Sequence, residues 1–297
     1  MAQPPLAEQG TAGSDADVVR LAARAFEHDR YLAALLAPPA VRDDLLALAA
    51  FAGELARIPG YVSEPMLGEI RLQWWRGAVD GLATGAGIAT GHPVGNALGR
   101  TMRRHRLPVA ALHDLIDAQA ARLDDLPFQD LTALKDNLAR WDGTLFRLAW
   151  RILAPPEAAP ERTLAPPLLA VAAEAYGLAR LLNELPAELA QGRCRIPREL
   201  MAEHGLSLAP PGNAAIPQRW HRVTAELSSQ AVAALAAAAA GYQVAPRPVR
   251  CAALPIALVR PYLRACEGID RTACDVRDIG PLTRVWRLWL AHRTGWI

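Results

Sequence analysis

Helix-length apolar segments follow one another along this chain, most of them closed by proline or glycine, and no run alternates apolar and polar residues as a half-buried strand would. Proline lacks the N–H of a helical hydrogen bond and its ring collides with the preceding turn, so Pro38-Pro39 ends one segment and Pro59-Gly60 the next. Ser14-Asp15 offers an N-cap for a first helix over 18–36. Further helices are expected over 41–58, 64–82, 94–104, 109–123, 131–153, 168–185, 217–241 and 281–292. A short one is expected over 197–204, and another that begins near Cys251 and includes Tyr262 to Cys266. Residues 83–91, rich in glycine and threonine, read as a loop, and the stretch from Pro155-Pro156 to Pro166-Pro167 reads as a surface connection. The pattern predicts an all-α bundle, built as one domain over 18–297 and preceded by a disordered tail over 1–17.

A chain of 297 residues with 52% hydrophobic and 21% charged residues can bury a large core and does not have the composition of a disordered protein. Its formal net charge of +2 lacks the cationic surplus that nucleic acid binding draws on. Lys135 is the only lysine, so nearly all the positive charge is guanidinium, the group suited to bidentate anion contacts. The segment from Met1 to Ala16 has no basic-then-apolar signal pattern, and the longest apolar run, 231–241, is shorter than the ~20 residues of a membrane span. A bacterial cytoplasmic protein, at most peripheral at the inner face of the membrane, is expected. Cys194, Cys251, Cys266 and Cys274 form no C-x-x-C pair and read as reduced, mostly buried thiols, while the histidines are scattered without metal-ligand spacing.

One segment says more than its helical pattern: Tyr176-Gly-Leu-Ala-Arg-Leu-Leu-Asn-Glu-Leu-Pro-Ala-Glu-Leu-Ala-Gln-Gly-Arg-Cys-Arg-Ile-Pro197. It resembles the second signature of squalene/phytoene synthases, G-x-A-x-Q-L-T-N-I-x-R-D-V-x-E-D followed by G-R-x-Y-L-P, through Gly177, Ala179, Leu181, Asn183, Gly192, Arg193 and Pro197. Between Leu185 and Gly192 the chain is about three residues shorter than that pattern, and no aspartate occurs from Tyr176 to Pro197. The family's first signature, A-x-Y-x-F-C-R-x-x-D-D-x-x-D, aligns on Phe51 within Leu48-Ala-Ala-Phe-Ala-Gly-Glu-Leu-Ala-Arg-Ile-Pro-Gly60. That alignment puts Ala56, Arg57 and Gly60 where metal-binding acids stand in the family. Leu72-Gln-Trp-Trp-Arg-Gly-Ala-Val-Asp80 also resembles the family stretch L-x-x-W-R-x-x-L-D, and Leu107-Pro108 and Leu115-Ile116 resemble the positions after it.

The resemblance implies an isoprenoid-synthase-like helical bundle around a central cavity. In the family, two aspartate-rich helices hold Mg²⁺ against prenyl diphosphates, neutralising the leaving pyrophosphate. With both acidic clusters missing, the chain resembles most the non-catalytic subgroup that includes a mitochondrial complex I assembly factor, through Phe51-Ala-Gly-Glu-Leu-Ala-Arg-Ile58 and Ile70-Arg-Leu-Gln-Trp-Trp-Arg76. This implies a respiratory-complex assembly partner, no catalytic residue, no metal and no cofactor. Two readings stand beside it. One is an active head-to-head prenyltransferase making a squalene- or phytoene-type product with relocated Mg²⁺ ligands. The other is a binder of an isoprenoid or other lipid that keeps the cavity without turnover.

Candidate ligand-binding residues follow from these segments. Glu54, Glu184 and Glu188 are surrogate acids; Glu184 and Glu188 share a helical face, although Pro186 between them is expected to strain or end that helix. Arg57, Arg193 and Arg195, with Arg30-Tyr31 resembling an early family segment near the active site, form a basic group able to pair with a phosphate or anionic headgroup. Capping and surface ion pairs are the competing and favoured account of those arginines. Tyr176 and Asn183 come with the second signature, and Trp74 is the tryptophan taken to line the cavity, although core packing is the better account of Trp74 and Trp75. The C-terminal segment from Pro281 to Ile297 mixes Trp286, Trp289 and Trp296 with Arg284, Arg287 and Arg293. That mixture suits peripheral membrane contact or a partner groove, and a docked helix closing the bundle is the favoured alternative.

Overall fold

The structure is a computed structural model, and it describes residues 14–61, 64–85, 90–124, 126–154, 167–206, 218–266 and 279–297. The tail expected over 1–17, up to residue 13, lies outside them, as do the connection 155–166, residues 86–89 of the expected loop, Pro217 and Cys274.

Helix α1 (Asp15–Phe26) opens three residues before its expected start. Ser14 and Asp17 form a capping box, the Ser14 hydroxyl accepting from the Asp17 N–H at 3.3 Å and the Asp17 carboxylate accepting from the Ser14 N–H at 3.2 Å. The one helix expected up to Leu36 is two, because the backbone departs from helical geometry at Glu27 (φ −135°) and restarts as α2 (His28–Leu35). That break turns the buried Glu27 carboxylate toward Arg30 and Arg180. Next come α3 (Pro39–Ala56) and the single turn α4 (Ile58–Tyr61), in whose first turn Pro59 loses no helical hydrogen bond. After them α5 (Pro65–Thr84) ends on Gly85 in the left-handed region (φ 73°), and α6 (Pro93–His105) and α7 (Val109–Ala120) follow.

The helix expected over 131–153 contains a π-helical turn, Ala139–Gly143, between α8 (Leu131–Leu138) and α9 (Thr144–Leu153). That extra residue per turn carries the fully buried Asp142. Helix α10 (Leu168–Ala190) continues through Pro186, five residues past its expected end, so the expected break there is corrected. Pro186 is buried along with Leu182, Leu185 and Leu189, and this core contact outweighs the single hydrogen bond that proline removes. Then come α11 (Arg198–Glu203), α12 (Gln218–Val244) and α13 (Arg247–Arg250). The helix expected from Cys251 begins later, as a 3₁₀ turn over Leu254–Leu258 and then α14 (Val259–Cys266), with Pro255 at the first turn of the former. The last helix is α15 (Pro281–Thr294), and no strand occurs among the described residues.

Two apolar clusters form the interior. One gathers α10, α12, α14 and the 3₁₀ turn; the other gathers α1, α3, α5, α6, α7 and α9. Helix α10 packs on α12, α14 and the π turn, and so stands where the two halves meet. By length and composition, Trp220–Val244 of α12 meets the requirement for a membrane span (25 residues, hydropathy 1.3), longer than the run read from sequence. Its buried stripe, including Val223, Leu227, Ala231, Leu235 and Tyr242, belongs to the cluster around α10. Burial on one stripe only is the pattern of a helix laid against a core.

Candidate functional site

A polar stripe runs down the otherwise apolar α10. Tyr176, Arg180, Glu184 and Glu188 are each four residues apart, so they share one face, and that face meets charged groups from α2 and the π turn and a tyrosine from α14.

At the inner end of the stripe the charges are closed on themselves. Arg30 pairs with Glu27 at 2.7 Å and with Asp142 at 2.6 Å, and Arg180 reaches Asp142 at 3.2 Å and Glu27 at 3.5 Å. Asp29 accepts from the Tyr176 hydroxyl at 2.8 Å and the Tyr262 hydroxyl at 2.6 Å, and pairs with Arg284 of α15 at 3.3 Å. Arg30 and Arg180 also lie over the Tyr176 ring, at 5.3 and 5.8 Å. Among the described residues, three carboxylates thus face three guanidiniums. Burial disfavours the charge on Arg30, but Glu27 and Asp142 outweigh it and hold its pKa above the ordinary value; Arg180 is raised for the same reason, with Asp142 the leading carboxylate. Burial first, then Asp29, raises the Tyr176 hydroxyl well above its usual value, so it stays protonated and donates.

At the outer end Arg195 clamps the two glutamates. It pairs with Glu188 at 2.7 Å and with Glu184, and Glu188 also faces Arg122 at 3.6 Å. Burial raises the Glu184 pKa and the guanidiniums of Arg195, Arg180 and Arg122 more than reverse it, so the carboxyl titrates below its ordinary value. Burial, and then the nearby Arg195, push Arg122 down to about 10. Arg193 donates to the Pro59 carbonyl at 2.9 Å and to the Gln191 side chain. The space between these groups, lined by Pro59, Arg122, Phe128, Glu188, Arg193 and Arg195, is about 20 Å³. That is room for about one water.

The acids present do not fit Mg²⁺. The ion needs several hard oxygen ligands in near-octahedral geometry. Glu184 and Glu188 are both engaged by Arg195, and Glu54 pairs with Arg57 at 2.8 Å. Among the described residues no group of three or more His, Cys, Asp or Glu is placed to hold a metal ion.

A roomier pocket of about 310 Å³ lies between the end of α3 and α5, lined by Glu54, Arg57, Arg71, Trp74, Trp75 and His92. Trp75 is buried edge-on against Phe51 at 5.2 Å and Trp74 is exposed, so of the two adjacent tryptophans that line the pocket one is also part of the core. Arg57 also lies over the Phe26 ring at 5.3 Å. A pocket lined by two tryptophans and two arginines suits a molecule with an apolar body and an anionic group.

The sequence-predicted residues therefore fall into three groups. Arg30 and Tyr176 belong to the inner net, Glu184, Glu188, Arg193 and Arg195 to the outer cluster, and Glu54, Arg57 and Trp74 to the pocket. Tyr31 stacks on His28 at 6.1 Å, and Asn183 is half-buried on α10. Sequence reasoning missed Glu27, Asp29, Asp142, Arg180 and Tyr262 as site residues, and it grouped Arg284 with the C-terminal tryptophans as a surface contact, whereas Arg284 is buried against Asp29. Only Arg180 left a local signal, as a charged residue four from both Tyr176 and Glu184 on an apolar helix.

The squalene/phytoene synthase family profile matches residues 23–288. The complex I assembly factor 6 of NADH dehydrogenase (ubiquinone) from Bos taurus is 26% identical over 261 residues, covering 88% of this chain and 76% of that protein. The bifunctional protein CrtB/UppS of Streptomyces coelicolor is 32% identical over 197 residues, covering 65% of this chain and 33% of that protein. Among solved structures, a dehydrosqualene synthase in complex with ligand superposes with a TM-score of 0.77 at 14% identity, over 95% of this chain and 96% of that one. The fold is thus the isoprenoid-synthase-like helical bundle, and the chain belongs to the squalene/phytoene synthase family.

Proposed function

We propose that this protein is a non-catalytic member of its family that acts in the cytoplasm as an assembly factor for a respiratory complex. The observation that carries the reading is the clamp of Arg195 on Glu184 and Glu188. Opposite it, the other signature segment supplies only Ala56, Arg57 and Gly60. Guanidinium groups stand where the family's chemistry requires carboxylates with free coordination, so neither Mg²⁺ nor a metal-held diphosphate has ligands here. The similarity to the bovine complex I assembly factor supports the assembly role. An isoprenoid or other lipid would seat in the pocket lined by Arg57, Arg71, Trp74 and Trp75.

The test has two arms. Purified protein given farnesyl or geranylgeranyl diphosphate with Mg²⁺ releases no pyrophosphate, and deleting the gene in its source organism lowers the amount of assembled respiratory NADH dehydrogenase. Pyrophosphate release that disappears in an E184A/E188A double variant would instead make the protein a head-to-head prenyltransferase with relocated ligands. The similarity to the Streptomyces protein favours that second reading.

A further inference from the structure

Helix α15 has two faces of different character. Its inner face is fixed: Arg284 pairs with Asp29 at 3.3 Å and donates to the Tyr262 hydroxyl at 3.3 Å, while Leu288 and Ala291 are buried in the cluster around α10. The helix therefore closes the bundle, as the favoured sequence reading expected, and lies along its surface. Its outer face is apolar and open. Leu282 is 87% exposed, Trp286 59% and Trp289 42%, Val285 belongs to the same face, and Trp296 stands exposed just beyond the helix.

The chemistry of that face is specific. Trp286 and Trp289 stack with ring centroids 5.2 Å apart, and the Arg293 guanidinium lies over the Trp289 ring at 5.9 Å. From Pro281 to Ile297 there is no aspartate or glutamate, so the segment carries only positive side-chain charge, with Arg293 exposed beside the tryptophans and Arg287 half-buried at the flank of the helix. Tryptophan and arginine together partition to the boundary between headgroup and acyl chain, and arginine is drawn to anionic lipid. A helix of 14 residues spans about 21 Å at 1.5 Å per residue, too short for a hydrocarbon core of about 30 Å. It can lie in the interface but not cross it.

We propose that the outer face of α15 docks the protein, parallel to the membrane plane, on an anionic lipid bilayer. The contact inserts Leu282, Val285, Trp286 and Trp289 to headgroup depth and sets Arg293 against lipid phosphates. It is independent of the assembly reading, because it requires only the surface and not a respiratory partner.

The experiment is co-sedimentation of the full chain with vesicles of phosphatidylcholine containing phosphatidylglycerol, beside vesicles of phosphatidylcholine alone, at low and high salt. Wild type binds the anionic vesicles, and high salt weakens the binding. A W286A/W289A variant binds at least about tenfold less, because interfacial binding scales with the apolar area buried. An R293Q variant keeps part of the binding and loses part of its salt dependence. Trp286, Trp289 and Arg293 lie on the outer face, and unchanged thermal melting of both variants verifies the fold. Failure of wild type to bind anionic vesicles, or binding by the tryptophan variant equal to wild type, overturns the proposal and leaves the face to a protein partner.

Discussion

The Arg193 guanidinium donates to the Pro59 carbonyl at 2.9 Å, so the segment after α10 is tied to the end of the α3–α4 segment. The approach does not depend on Gly60, since a Cβ there would stand 3.8 Å from Arg193 Nη2, an ordinary van der Waals contact. The two segments that resemble the family signatures are thus joined by a hydrogen bond from a cation. Arg193→Ala removes a charge-assisted bond at a half-buried site and is expected to cost about 1–2 kcal/mol in urea unfolding. A loss indistinguishable from zero would show that this contact does not hold the segments together.

The inner net offers a larger effect. Asp142 is fully buried and binds both Arg30 and Arg180, so Asp142→Asn leaves two buried guanidiniums short of one carboxylate. Breaking a buried pair on one side costs about 3–5 kcal/mol. Chemical denaturation of this variant beside a D142N/R30M variant measures it, and the double variant should recover part of the loss. Equal stability of wild type and D142N would refute the account of the net.

Gly177 tests why the signature needs glycine. A Cβ there would meet Leu138 Cδ2 at 2.8 Å and Asp142 Oδ2 at 2.9 Å, against a core that holds both. Gly177→Ala is expected to destabilise by about 1–3 kcal/mol through overpacking, although alanine is the better helix former. A higher melting temperature for this variant would contradict the close packing described.

The clamp also predicts an acid dependence. Glu184 titrates below its ordinary value in the folded protein, so between the folded and unfolded pKa the unfolded chain binds the extra proton. Its contribution is present above the unfolded value of about 4.3 and is lost as pH falls toward the folded one. Stability measured from pH 6 downward should fall less steeply in Glu184→Gln than in wild type. Identical slopes would mean that Arg195 does not hold this carboxylate in its charged form.

Mg²⁺ with pyrophosphate is expected to leave the melting temperature unchanged, because a ligand stabilises only the state it binds. An upward shift of several degrees that vanishes in E184A/E188A would return those glutamates to the role of metal ligands.

Much of this architecture was legible in the chain. Proline and glycine punctuate it where α3, α5 and α6 begin or end, because their backbone constraints act locally. Several boundaries differ from the expectation: the early start of α1 is a local effect of its capping box, but three departures have a distant contact as their reason. Glu27 breaks the first long helix where its carboxylate turns to Arg180, 153 residues away; the π turn carries Asp142 to Arg30 and Arg180; Pro186 stays helical because its neighbours are buried in the core.

The candidate site divides along the same line. The stripe from Tyr176 to Glu188 and the missing aspartates could be read directly, since a helix fixes which residues share a face. What each charge meets could not. Arg284 reaches Asp29 only because α15 and α2, far apart in sequence, pack side by side, and Arg195 reaches Glu184 because the chain after α10 folds back along that helix. The sequence determined the helices, their order and the chemical inventory of each face, because those follow from local backbone sterics and side-chain periodicity. Only the tertiary structure decided that the remaining acids are neutralised by arginine, because an ion pair depends on separations of a few ångströms between segments that sequence spacing does not relate.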